Sequence, residues 1–193
     1  MPFSGPPSLG PDAIEFAALA ARHCRLPHPD VVARFDAAIF PAIRDQRRRM
    51  EIDHERGLLL DDNVLARWAL FWSHGMGQTH HPRGWTIAHV WAAPKDPDAY
   101  TRLANLCLMP ECLGSLSDKA GPLGSYLKYH AYAVYGWHLD GETPPAQPEG
   151  YEKIEWNYLS AYDEPQDFIE GRMGELNNQR VIILRELMGQ VND

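Results

Sequence analysis

From Asp12 to Gly75 the apolar positions of the chain recur at helical spacing. "DAIEFAALAARHC" is rich in strong helix formers, and Asp12 falls in what would be the first turn, so the pattern predicts a helix from about Pro11 to Cys24. "LPHPD" interrupts it, and Asp30 is then expected to cap a second helix running to Gly57. Val31, Val32, Phe35, Ala38, Ile39 and Ile43 would form its buried stripe, with a kink at Pro41. A third helix is expected over "DDNVLARWALFWSHG", capped at Asp61 or Asp62, with Val64, Leu65, Trp68, Ala69 and Trp72 inward and Gly75 as its stop.

Beyond Gly75 the pattern changes. "GWTIAHVWAAP" is dense in β-branched and aromatic residues, and "LANLCLMP" is a short apolar run. With the turn-forming "KDPDAYTR" between them, the two read as an antiparallel ribbon joined by an eight- to ten-residue connection. "PECLGSLSDKAG" is expected as a short helix, and "PLGSYLKYHAYAVYGW" as a longer one opening at Pro122. After the proline-rich "HLDGETPPAQPEG", helices are predicted in "YEKIEWNYLSAY" and "EPQDFIEGRMGELNNQRVIILRELM". In the last of these, Ile182, Ile183, Leu184, Leu187 and Met188 would supply the apolar face. The fold class is therefore α+β, mainly α-helical, with a small two-stranded antiparallel ribbon followed by a helix. Its expected organisation is a flexible arm at 1–11, a helical core at 12–140 with the ββα unit at 84–120, a linker at 141–150 and a helical segment at 151–193.

Composition narrows the functional classes. With 193 residues, 45% of them hydrophobic, the chain can bury one sizeable core. A formal charge of −8 argues against tight, non-specific binding along a nucleic acid. The dense cationic run is "RDQRRRM", Arg44 to Met50; it has the charge to contact phosphates as a patch, but acidic Glu51, Asp53 and Glu55 favour pairing on an exposed helix. The three cysteines form no paired framework, no stretch reads as a secretory signal and no apolar run spans a bilayer. A soluble, reduced, cytoplasmic protein is the expectation.

Chemistry gathers in "WSHGMGQTHHPRGWTIAHVW", which holds four of the nine histidines, His74, His80, His81 and His89. Downstream, "IAHVWAAPKDPDAYTRLANLCLMPECLGSLSD" resembles the ββα-metal unit of HNH-type nucleases over roughly residues 85–120. That resemblance implies His89 as general base, Asn105 as the residue orienting it, and Asp118 as a ligand of a divalent metal (Mg, Mn or Zn) acting on DNA or another nucleic acid. An imidazole titrates near neutrality, which suits it to take a proton from water. The family usually carries a second ligand immediately before the base. This chain has Ala88 there, and His81, His80 or His74 from the Gly-bounded loop would have to replace it. Two further readings stand beside the metal-dependent endonuclease. One is a non-catalytic protein-interaction module on the same scaffold, with its partner on the C-terminal helices. The other is a metalloenzyme of different chemistry built on His74, His80 and His89. The aromatic "YLKYHAYAVYGW" reads as a packed helix, and His130 within it as a satisfied core histidine.

Overall fold

The computed structural model describes residues 12–77, 82–117 and 122–189. The arm expected at 1–11 lies outside them. The fold is α+β and mainly helical, with two small sheets. Helix α1 (Asp12–His23) buries Ala17, Ala20 and Ala21, and Cys24 to Leu26 then run as a strand-like bridge between Leu108 and Tyr158.

The long helix expected from Asp30 does not form. Helix α2 (Pro29–Val32) is a single turn capped by His28, whose Nδ1 accepts the Asp30 N–H at 3.2 Å. The chain then builds a three-stranded sheet in the order β1-β3-β2: β1 (Ala42–Arg44), β2 (Ile52–Asp53) and β3 (Leu58–Asp61). Strand β1 is parallel to β3, and β2 antiparallel to it. Local chemistry defeats the helical spacing. Pro41 has no N–H for a helical ladder, and the Asp45 carboxylate accepts the Arg47 and Arg48 N–H groups, closing a turn where the helix would have continued. Gly57 therefore lies between β2 and β3 rather than at a helix end.

Helix α3 (Val64–Trp72) is the centre of the larger core. Seven of its nine residues are buried, with Trp68 stacked on Trp72. Its N-cap is Asn63 rather than Asp61 or Asp62, but the Asp61 Oδ2 accepts the first-turn Leu65 N–H at 2.8 Å. Gly75 takes φ +67°, and a Cβ there would collide with the Tyr162 ring, so it ends this segment for two reasons.

Strands β4 (Trp85–His89) and β5 (Leu106–Pro110) form the antiparallel ribbon, in register from Trp85↔Pro110 to His89↔Leu106. Their connection, residues 90–105, is longer than expected because Asn105 pulls the chain out of the ladder at Trp91. It contains helix α4 (Pro97–Tyr100), capped by Asp96, and a 3-10 turn at Leu103–Asn105. Helix α5 (Glu111–Ser117) comes directly after β5 and packs back on β4. Gly114 permits this approach: a Cβ there would lie 2.8 Å from Thr86 Cγ2. Helix α6 (Pro122–Tyr135) lies against α1, and the second core cluster is shared by α1, β4, β5 and α6.

"YEKIEWNYLSAY" is not helical. After a 3-10 turn at Tyr151–Lys153 it is extended, and its backbone bonds Leu26 from both sides. The final stretch is two helices, α7 (Pro165–Glu175) and α8 (Gln179–Leu187), separated at Asn178, which caps the second. Both pack into the main core through Ile169, Met173, Val181, Ile183 and Leu184. Ile182 and Met188, expected on the apolar face, are exposed.

One buried polar node joins these parts. The Asp61 carboxylate is fully buried. It accepts the Leu65 N–H and the Tyr100 hydroxyl, each at 2.8 Å, and pairs with Arg180 at 3.1 Å. Burial raises its pKa, while those partners oppose the shift. Removing one member of such a pair leaves the other polar and dry. Asp61→Ala is expected to destabilise the fold by about 3–5 kcal/mol. Asp62→Ala, which removes Arg180's outer partner, should cost about 1 kcal/mol or less. Chemical denaturation of the two variants checks the contrast.

Candidate functional site

His89 ends β4, and the connection wraps round it so that α4 passes over its ring. Its Nε2 lies 3.0 Å from the Tyr100 carbonyl oxygen. A carbonyl can only accept, so Nε2 carries a proton and donates it to Tyr100 O. The Tyr100 ring stacks on the imidazole, 5.4 Å between centroids and 11° from parallel. The phenol of Tyr100 is held in turn by Asp61 and by the Asn63 N–H at 2.9 Å.

Asn105 acts one step back. It is fully buried; its Oδ1 accepts the Trp91 N–H at 2.7 Å and its Nδ2 donates to the carbonyls of Ala99 (3.0 Å) and Trp91 (3.4 Å). The expectation that this amide would orient the imidazole is corrected: Tyr100 O makes that bond, and Asn105 braces the loop that carries Tyr100.

Although His89 is only 9% exposed, it lines a cleft of about 330 Å³. Arg44, Asn63, Thr86, Glu111 and Gly114 share its walls. Arg44 and Asn63 arrive from the three-stranded sheet and the start of α3. Sequence spacing links neither of them to His89, because 45 and 26 positions separate them from it. Asn63 carries a signal of its own. It is a non-glycine residue at φ +81°, and its buried Oδ1 has no hydrogen-bond partner among the described residues.

The other expected ligands do not join this site. His74 is corrected to a structural role. Its Nδ1 donates to Leu70 O at 2.7 Å, with Ser73 Oγ at 3.0 Å, while its Nε2 accepts the His28 N–H at 3.0 Å. With both nitrogens engaged in the buried interior, it has no lone pair to offer a metal. His80, His81 and Asp118 lie outside the described residues. Among the described residues no three His, Cys, Asp or Glu side chains converge as a metal site.

His130 is the satisfied core histidine expected. The hydroxyls of Tyr151 (2.9 Å) and Tyr158 (3.2 Å) meet its two nitrogens, and Trp156 and Tyr135 enclose it. Cys24 and Cys107 are buried and Cys112 is exposed. Among the described residues no helix is long and apolar enough to cross a membrane. Compared with family models, curated proteins and solved structures, the chain matches none.

Burial lowers the pKa of His74 and of His130 from 6.5 to about 4. Between those values the unfolded chain binds more protons than the folded one. The stability held above pH 6.5 is therefore lost as pH falls towards 4. From pH 7.5 to 5 each histidine should cost about 2 kcal/mol. Urea denaturation across that range should show the slope, and His130→Phe should remove roughly half of it.

Proposed function

We propose that the chain is a divalent-metal-dependent phosphodiesterase of the HNH-like ββα type, acting on nucleic acid, with His89 as general base. The observation that carries this reading is the placement of His89: an imidazole clamped at Nε2 by a backbone carbonyl, at the wall of a cleft that also holds a guanidinium. The surrounding topology agrees, since β4, β5 and α5 succeed one another as a ββα unit and Gly114 seats the helix on the ribbon.

His89 would take a proton from the attacking water. The positive charge it gains would be eased by the Tyr100 carbonyl, which accepts more strongly from an imidazolium. Arg44 would bind a phosphoryl oxygen. The Glu111 carboxylate is a hard oxygen donor of the type that Mg²⁺ or Mn²⁺ takes alongside water and phosphate, and it lines the same cleft. When bound, the ion would offset charge on the phosphoryl group and the leaving oxygen.

A second reading, a non-catalytic interaction module, draws on Ala88. The position where the resemblance implies a further ligand is a buried methyl group, 5% exposed. Metal titration separates the two, because the module needs no ion.

On the catalytic reading, wild-type protein should nick plasmid DNA in Mg²⁺ or Mn²⁺ and lose the activity in chelator. His89→Ala should slow nicking by roughly 100- to 10,000-fold while circular dichroism stays native. Cleavage that survives this substitution, or a wild type inert towards both DNA and RNA with either metal, counts against the assignment.

A further inference from the structure

Arg44 differs from the rest of the basic run that contains it. Arg47, Arg48 and Arg49 are exposed, whereas Arg44 is half-buried at the end of β1 and lines the His89 cleft. Three neighbouring cations are paired with carboxylates, while Arg47 stands exposed in solvent. Arg48 and Lys95 both meet Asp45, at 3.5 and 3.2 Å, and Arg49 meets Asp62 at 3.6 Å. Asp61, the register partner of Arg44 across β1 and β3, pairs instead with Arg180. Among the described residues no carboxylate pairs with the Arg44 guanidinium, and no side-chain hydrogen bond engages it.

Its backbone is nonetheless fixed. Arg44 lies in the parallel ladder with β3, and its N–H donates to Pro94 O at 2.7 Å. Pro94 belongs to the connection that carries Tyr100 over His89. The strand end that carries the guanidinium is thus tied to the same loop that packs over the imidazole. A half-buried guanidinium with its planar donors uncommitted suits a phosphate oxyanion, which it can meet with two parallel N–H bonds. On a chain of formal charge −8, attraction for an anion has to be local.

We propose that Arg44 is the phosphate anchor of the cleft, holding a phosphoryl oxyanion beside His89. The choice of ligand rests on the phosphodiesterase reading; the placement of the cation does not. Glu111 lines the same cleft and opposes an anion there, so Mg²⁺ should strengthen binding.

The test uses the full chain, with inorganic phosphate and a short fluorescent DNA duplex as probes, each titrated in chelator and again in Mg²⁺ with His89→Ala to prevent cleavage. Arg44→Gln in that background is expected to weaken binding of both probes by roughly 10- to 100-fold. Arg44→Lys should recover part of the loss, since it keeps the charge without the fork. Arg47→Gln, an exposed member of the same run, should change phosphate binding by less than about twofold. Thermal melting of each variant checks that the sheet is intact, and the Arg44 Nε–H resonance of the parent protein should shift on adding phosphate even if Arg44→Gln does not fold. Equal losses for Arg44→Gln and Arg47→Gln, an unmoved Arg44 resonance, or no binding at all would overturn the anchor. An inert wild type that still binds phosphate through Arg44 would defeat the nuclease reading alone. An active enzyme whose kcat/KM is unchanged by Arg44→Gln would defeat the anchor alone.

Discussion

The bond between the Tyr100 hydroxyl and the buried Asp61 carboxylate holds the two halves of the molecule in relation to each other. Asp61 belongs to β3 and accepts the Leu65 N–H in the first turn of α3; Tyr100 belongs to the connection between β4 and β5. Asn105, Thr101 and the Arg44 N–H also brace the connection, and this bond ties it to the start of α3. With it, the Tyr100 ring is parallel to the imidazole of His89 and its carbonyl is in line with Nε2. Arg180 completes the node from α8, so a C-terminal helix contributes to the position of a side chain in the middle of the chain. A carboxylate taken out of water is costly, and the two hydrogen bonds at Oδ2 with the Arg180 ion pair at Oδ1 offset that cost. That cost is why the arrangement has few alternatives.

Elements that depend on local chemistry are legible in the sequence. The first and third helices, the ribbon, the short helix after it and the helix from Pro122 all derive from spacing, caps and proline positions, and all are present. Asn178 splits the last predicted helix in two, and two other stretches predicted as helices are largely not helical; in those two the backbone bonds decide. Residues 30–57 carry apolar positions at helical spacing, but Pro41 and the Asp45 turn break the backbone ladder that such a stripe needs. In "YEKIEWNYLSAY" the helix formers are outweighed by distant partners. Leu26 supplies both backbone bonds of a bridge, and His130 takes the hydroxyls of Tyr151 and Tyr158. Neither partner is visible from a window of neighbouring residues.

The histidine-rich stretch shows a related limit. Closeness in sequence suggests shared chemistry, yet the structure separates His74 from His89 by what their nitrogens bond. His74 faces an N–H and a carbonyl, a pairing that satisfies a neutral ring and disfavours its protonation. His89 is clamped at Nε2 by a backbone carbonyl, and the residue borders a cleft. Residue type alone cannot distinguish these two cases. The distinction needs the carbonyl of Tyr100 and the amide of His28, which are backbone groups and leave no mark in composition.

The cleft itself is a product of backbone approach rather than of loop shape. Helix α5 comes so near β4 that residue 114 cannot bear a side chain without meeting Thr86, and threonine has little rotamer freedom with which to yield. This contact fixes one wall. The opposite wall comes from the end of β1 and the start of α3, held by ladder bonds and by the left-handed backbone of Asn63. A guanidinium, an amide oxygen and an imidazole are therefore carried on three rigid supports that share the Asp61–Tyr100 node. Their positions are set by backbone bonds and close packing rather than by the side chains themselves.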